Sequence, residues 1–116
     1  MAWHFDGEKP IYSQIIEHIK LSIISGEYKP GDKLNSVRDL AQVAGVNPNT
    51  MQKALSELEN SGLIYTNRTS GRFITDNVSL IEAKKKELAR EKTLSYLSAM
   101  EKLGYSAKDC LNLISE

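Results

Sequence analysis

Gly45, Asn47 and Pro48 stand between two short stretches of helical periodicity, and together they leave the chain few ways to fold there. The glycine breaks the first stretch and Asn47 can cap the second with its side chain. Pro48 suits a first helical position because its missing N–H would be unpaired there anyway. From Met51 the apolar residues fall at 51, 54, 55 and 58, the i, i+3, i+4, i+7 spacing of one buried face. The opposite face carries Asn49, Gln52, Lys53 and Ser56. Those groups suit base edges in a major groove, since amides pair bidentately with adenine and lysine reaches guanine or phosphate. Taken alone, an ordinary amphipathic helix with a solvated face is the simpler account, and the neighbouring segments decide.

Upstream, Ser36-Val37-Arg38-Asp39 has the pattern of a capping box with Asp in place of Glu. It predicts a helix over 37–44 with Val37, Leu40 and Ala41 inward and Arg38 outward. An earlier helix is predicted over 11–25, where Tyr12, Ile15, Ile16, Ile19 and Ile23 repeat at helical spacing and Gly26 stops it. Residues 3–6 alternate apolar and polar, which predicts a short extended segment. Downstream, Leu63–Thr66 and Arg72–Thr75 are β-prone runs separated by the polar loop Asn67–Gly71, the signature of a hairpin. Three helices and a hairpin, with a tight turn between helices two and three, predict a winged helix-turn-helix.

After Asp76 the composition changes. A long charged helix is predicted from Leu80 to Gly104, and Ser106 with Asp109 would cap a last helix over 107–114. A helical pair of this size buries its own core poorly, so packing against a copy of itself is expected. The fold class is therefore mainly α (α+β), with a winged domain over 1–75 and a two-helix dimerisation segment over 76–116. Leu88, Leu94, Leu97, Met100, Leu111 and Ile114 are the expected dimer contacts.

Several function classes are disfavoured. No apolar run approaches the roughly 18 residues that span a bilayer, and the N-terminus lacks a basic start and an apolar core, so neither membrane span nor signal peptide is expected. Cys110 is the only cysteine, which excludes an intrachain disulfide and suits the cytoplasm. His4 and His18 lie far apart and far from Cys110, so no metal site is expected. No nucleophile–base set, phosphate-binding glycine loop or carboxylate pair stands out, so neither enzyme nor cofactor is expected. Formal net charge is zero, so nucleic-acid binding must rest on where charge is placed. Tyr12 and Gln14 read as packing and local hydrogen bonding, Tyr65 and Phe73 as hairpin core, and Lys84-Lys85-Lys86 as a solvated helix face.

Five segments, in order, carry a resemblance: Lys9–Ile15, Ser25–Leu34, Ser36–Ala41, Val46–Thr50 and Leu58–Ile64. Over about 9–75 the chain resembles the DNA-binding domain of GntR-family bacterial transcription regulators. Its tail of about forty residues resembles the small YtrA branch, whose two C-terminal helices dimerise. The resemblance implies that Arg38 contacts DNA, that Asn47, Asn49, Thr50 and Lys53 belong to the recognition helix, and that Gly71 is a wing-tip glycine approaching the minor groove. Ser36 and Gln52 are counted with these DNA-binding residues. Arg68 and Arg72 are weighed evenly between phosphate contacts and plain surface charge, while Lys29 and Lys33 read as surface charge. Three departures stand out: Asn35 replaces a usual proline, Thr69-Ser70-Gly71 replaces a Gly-x-Gly wing tip, and Arg72 stands where threonine is usual.

These features predict a sequence-specific transcription regulator, expected to be a repressor, that binds a near-palindromic double-stranded operator as a homodimer. The competing reading is a winged-helix protein-interaction module, favoured by the neutral charge. A third is a ligand-gated switch: the tail looks too short to enclose a pocket, which leaves a small-molecule effector site between protomers open.

Overall fold

The alternation of buried apolar positions with capping and turn residues sets the element order α1 Ile11–Ile24, α2 Val37–Ala44, α3 Pro48–Ser61, β1 Ile64–Asn67, β2 Gly71–Ile74, α4 Val78–Lys102 and α5 Ala107–Ser115. The computed structural model describes residues 3–116. Backbone contacts divide the chain into a unit ending at Glu82 and a second unit, Ala83–Glu116. The first unit thus runs past Thr75, the expected edge of the winged domain, because Ile81 at the start of α4 joins its core.

That core is built where the periodicity placed it. Ile15, Ile19 and Ile23 of α1, Leu40, Ala41 and Ala44 of α2, and Met51, Ala54, Leu55 and Leu58 of α3 are buried together. Leu63, Ile64 and Ile74 of the hairpin region close it. Burying each of the larger side chains contributes about 1.5–3 kcal/mol relative to leaving it in water.

Local hydrogen bonds explain the helix ends. Ser36 Oγ accepts from the Asp39 N–H at 3.1 Å, one of the two bonds of a capping box. The box with both bonds present is at Ser106 and Asp109. Asn47 caps α3 by accepting from the Asn49 N–H at 2.7 Å, with Pro48 in the first helical turn. Gly45, at φ 76°, ends α2, and its N–H and that of Val46 donate to the Ala41 carbonyl at 2.9 and 3.0 Å. The left-handed conformation there is one that glycine adopts without steric cost. Helix α4 begins two residues before Leu80, because Asn77 Oδ1 accepts from the Leu80 N–H at 3.1 Å and so caps an earlier start.

The hairpin is antiparallel, with Ile64 opposite Ile74 and Asn67 opposite Gly71. Its strands therefore sit one residue away from the β-prone runs, although Thr75 N–H still donates to the Leu63 carbonyl at 2.9 Å. The loop Arg68-Thr69-Ser70 is tightened by Asn67, whose carbonyl accepts from Ser70 N–H and whose side chain accepts from Thr69 N–H. Residues 31–34 lie along β2. Leu34 N–H donates to the Arg72 carbonyl at 2.9 Å, Ile74 N–H donates to the Asp32 carbonyl at 2.8 Å, and Lys33 bridges Phe73. This third run ties the hairpin to the approach to α2.

Residues 3–6 form no strand. Trp3 and Phe5 instead pack against the core, and the Trp3 ring stacks on His18 with centroids 3.7 Å apart. Gln14 holds the following residues, donating to the carbonyls of Asp6 and Lys9 and accepting from the Asp6 N–H. In the second unit Cys110 is buried, while Leu94, Leu103, Leu111 and Ile114 are 60–71 % exposed. The described residues include no helix long and apolar enough to cross a membrane.

Candidate nucleic-acid interface

With Met51, Ala54, Leu55 and Leu58 facing the core, the helical period turns Asn49, Gln52, Lys53 and Ser56 to solvent. Gln52 Nε2 lies 3.4 Å from Ser56 Oγ, a weak contact that leaves the amide able to turn toward a ligand. Asn47 is exposed at the cap, where its carbonyl oxygen is committed to Asn49 N–H and its NH2 group is not. Thr50 is half-buried. Lys53 does not extend freely: its ammonium lies 4.0 Å from the centroid of the Tyr12 ring, a cation–π contact. Ile11, Tyr12, Asn49, Thr50 and Lys53 line one cleft of about 440 Å³ between the starts of α1 and α3.

A second, larger groove, about 760 Å³, lies between the wing and the start of α2. Lys33, Asn35, Ser36, Thr66, Gly71 and Arg72 are among the residues that line it. Gly71 has φ 106°, a conformation side-chain-bearing residues rarely adopt, and a Cβ there would meet the Lys33 stem at 3.5 Å. The backbone angle, not lack of room, is what requires glycine. Arg38 is exposed in the first turn of α2, and Arg68 is exposed in the wing loop.

Arg72 is held within the protein. Its Nε donates to Glu59 Oε1 at 2.6 Å, and Thr66 Oγ1 donates to the same oxygen at 2.8 Å. Burial disfavours the charged form of Glu59, but the hydrogen bonds from Arg72 and Thr66, with the Arg72 charge, outweigh it and hold the carboxyl below the usual glutamate range. The bracket joins the end of α3 to both strands of the wing. Sequence reading missed it, because opposite charges 13 residues apart carry no periodic signal. The Tyr12–Lys53 contact was missed for the same reason.

The structure therefore gathers Asn49, Thr50 and Lys53 in one cleft and Ser36, Gly71 and Arg72 in another groove. Gln52 stands on the same helix as the first set and Asn47 caps that helix, while Arg38 and Arg68 line neither space. Among the described residues no His, Cys, Asp and Glu cluster could hold a metal ion. In the second unit, Leu97, Leu111 and Ile114 share an apolar groove of about 500 Å³ with Tyr96 and Cys110. Leu94 is exposed, and Leu88 and Met100 are half-buried.

Comparison with known proteins agrees with this architecture. Residues 11–74 match the family model described as bacterial regulatory proteins, gntR family. The chain is 38% identical over 107 residues to the uncharacterized HTH-type transcriptional regulator YhcF of Bacillus subtilis, covering 92% of this chain and 88% of that protein. It is 49% identical over 77 residues to the HTH-type transcriptional repressor YtrA of the same organism, spanning 65% of this chain and 59% of the repressor. A GntR family transcriptional regulator from Listeria monocytogenes superposes with a TM-score of 0.91 at 40% identity, over 96% of this chain and 97% of that one. The AraR DNA-binding domain in complex with operator ORR3 superposes with a TM-score of 0.55 at 31% identity, over 65% of this chain and 88% of that one. A winged helix with an outward polar face on α3, matched by a family model over more than half its length, leaves one assignment: the chain belongs to the gntR family of bacterial regulatory proteins, a family of regulators and not of enzymes.

Proposed function

We propose that the protein is a sequence-specific, homodimeric transcriptional repressor of the YtrA-like branch that acts in the cytoplasm on a near-palindromic operator. Helix α3 enters the major groove and reads bases through Asn49, Gln52 and Lys53, with Asn47 and Thr50 at its leading end. Arg38 and Arg68 contact phosphates beside it, and the Thr66–Arg72 wing follows the adjacent minor groove with Gly71 at close approach. The observation that carries this reading is the α3 surface: an exposed face of two amides and a lysine on a helix whose opposite face is fully committed to the core. The relatives named as repressors and the AraR domain solved on its operator support the direction of the reading.

Dimerisation is assigned to the second unit. Leu94, Leu111 and Ile114 expose apolar surface that a monomer has no use for, next to half-buried Leu88, Leu97 and Met100. A dimer doubles the reading helix and imposes two-fold symmetry on the DNA site. Any small-molecule effector would act between protomers.

Selection of bound duplexes from a random pool tests the proposal directly. It should return an inverted repeat, and Asn49→Ala should weaken binding by about 1–3 kcal/mol while relaxing preference at one base position. A protein that stays monomeric at micromolar concentration and binds all duplexes alike would refute it, and would favour a protein-interaction module instead.

A further inference from the structure

We infer that the groove between the wing and the start of α2 grips one backbone phosphate of the operator, through the Lys33 ammonium and the donors of Asn35 and Ser36. The inference rests on the DNA-binding reading above and adds residues to it. Two cations line this groove, Lys33 and Arg72. Arg72 is already neutralised by Glu59, on whose carboxylate its Nε lies at 2.6 Å. Among the described residues Lys33 forms no ion pair, so the groove's uncompensated charge is its ammonium. Backbone pairing fixes where that charge is. Leu34 N–H bonds to the Arg72 carbonyl at 2.9 Å and Lys33 bridges Phe73, which lays the Lys33 stem along the wing beside Gly71.

The facing wall supplies neutral donors. Ser36 Oγ accepts from Asp39 N–H, which leaves its own O–H to donate outward. Asn35 is exposed on the same groove and offers both a backbone N–H and a side-chain amide. A proline at this position would have neither donor. The Asp39 carboxylate in the first turn of α2 offsets part of the positive end of that helix, so the helix terminus alone makes a weak anion site and Lys33 is required. A charge held beside neutral donors, on a wall fixed by backbone pairing, grips phosphate and carries no base information.

The test uses the full-length protein and a duplex recovered by selection, with affinity followed by fluorescence anisotropy over a salt series. Lys33→Met should lower the slope of log affinity against log salt by about 0.9 per protomer contact, and should weaken operator and random duplex alike. Asn35→Ala should weaken both duplexes alike without changing the slope, since it removes no charge. The control Lys85→Met, which removes a charge from an exposed position on α4 outside the groove, should leave the slope at its wild-type value. Thermal unfolding of each variant separates loss of fold from loss of contact. A Lys33→Met slope equal to wild type, in a protein that still selects its operator, overturns this inference alone, as does a change of base preference in that variant. A wild-type protein that binds no duplex overturns the inference together with the proposed function.

Discussion

The Glu59–Arg72 bracket gives a stability prediction that can be worked through. Glu59 Oε1 receives Arg72 Nε at 2.6 Å and Thr66 Oγ1 at 2.8 Å, with the two ionic side chains 30 % and 19 % exposed. Fully exposed ion pairs contribute about 0.2–1 kcal/mol, and hydrogen bonds to charged groups about 1.5–3 kcal/mol. A partly screened pair whose acceptor is shared by a hydroxyl belongs near the boundary, so we expect a coupling of about 1 kcal/mol between Glu59 and Arg72. In a domain of this size that corresponds to roughly 4–8 °C in Tm. The assay is a double-mutant cycle of Glu59→Gln and Arg72→Met, read by thermal unfolding at neutral pH. The coupling also has a pH signature. Glu59 titrates lower in the folded protein than its ordinary value of 4.5. In that window the unfolded chain holds more protons, so stability rises with pH, is fully present above the unfolded value, and is lost as pH falls through the folded one. The wild-type advantage over Glu59→Gln should therefore shrink on acidification and be absent below both values. A cycle giving under about 0.2 kcal/mol, the floor for exposed pairs, or a coupling that persists unchanged in strong acid, would refute the account.

Two further substitutions probe geometry that the fold imposes. Gly62 ends α3 at φ 85°, and a Cβ there would lie 3.1 Å from Leu80 Cδ2, whereas Gly26 at φ 87° has open space. Both Gly→Ala variants should lose about 1–2 kcal/mol to the left-handed backbone, with Gly62→Ala losing more in chemical denaturation. Equal losses would show that Leu80 yields freely. Tyr12→Leu removes the ring beneath Lys53 and should weaken operator binding about two- to fivefold, with Tyr12→Phe near wild type. An equal loss in a Lys53→Met background would sever the two residues.

Much of the architecture was legible because it is local. The 51, 54, 55, 58 spacing, the Asn47-Pro48 start and the Ser36 and Ser106 caps each act within one helical turn, where a few dihedrals decide the outcome. The outward set Asn49, Gln52 and Lys53 followed from the same arithmetic. What the linear order withheld is contact between residues far apart in the chain. Residues 31–34 lying along β2, Ile81 completing the core of the first unit, Arg72 bound to Glu59 and Lys53 over Tyr12 all depend on where separate segments meet. These contacts form only once the buried apolar faces have brought the segments together. Hydrophobic burial has no direction of its own, so the polar partners it aligns can be known only from the packed molecule.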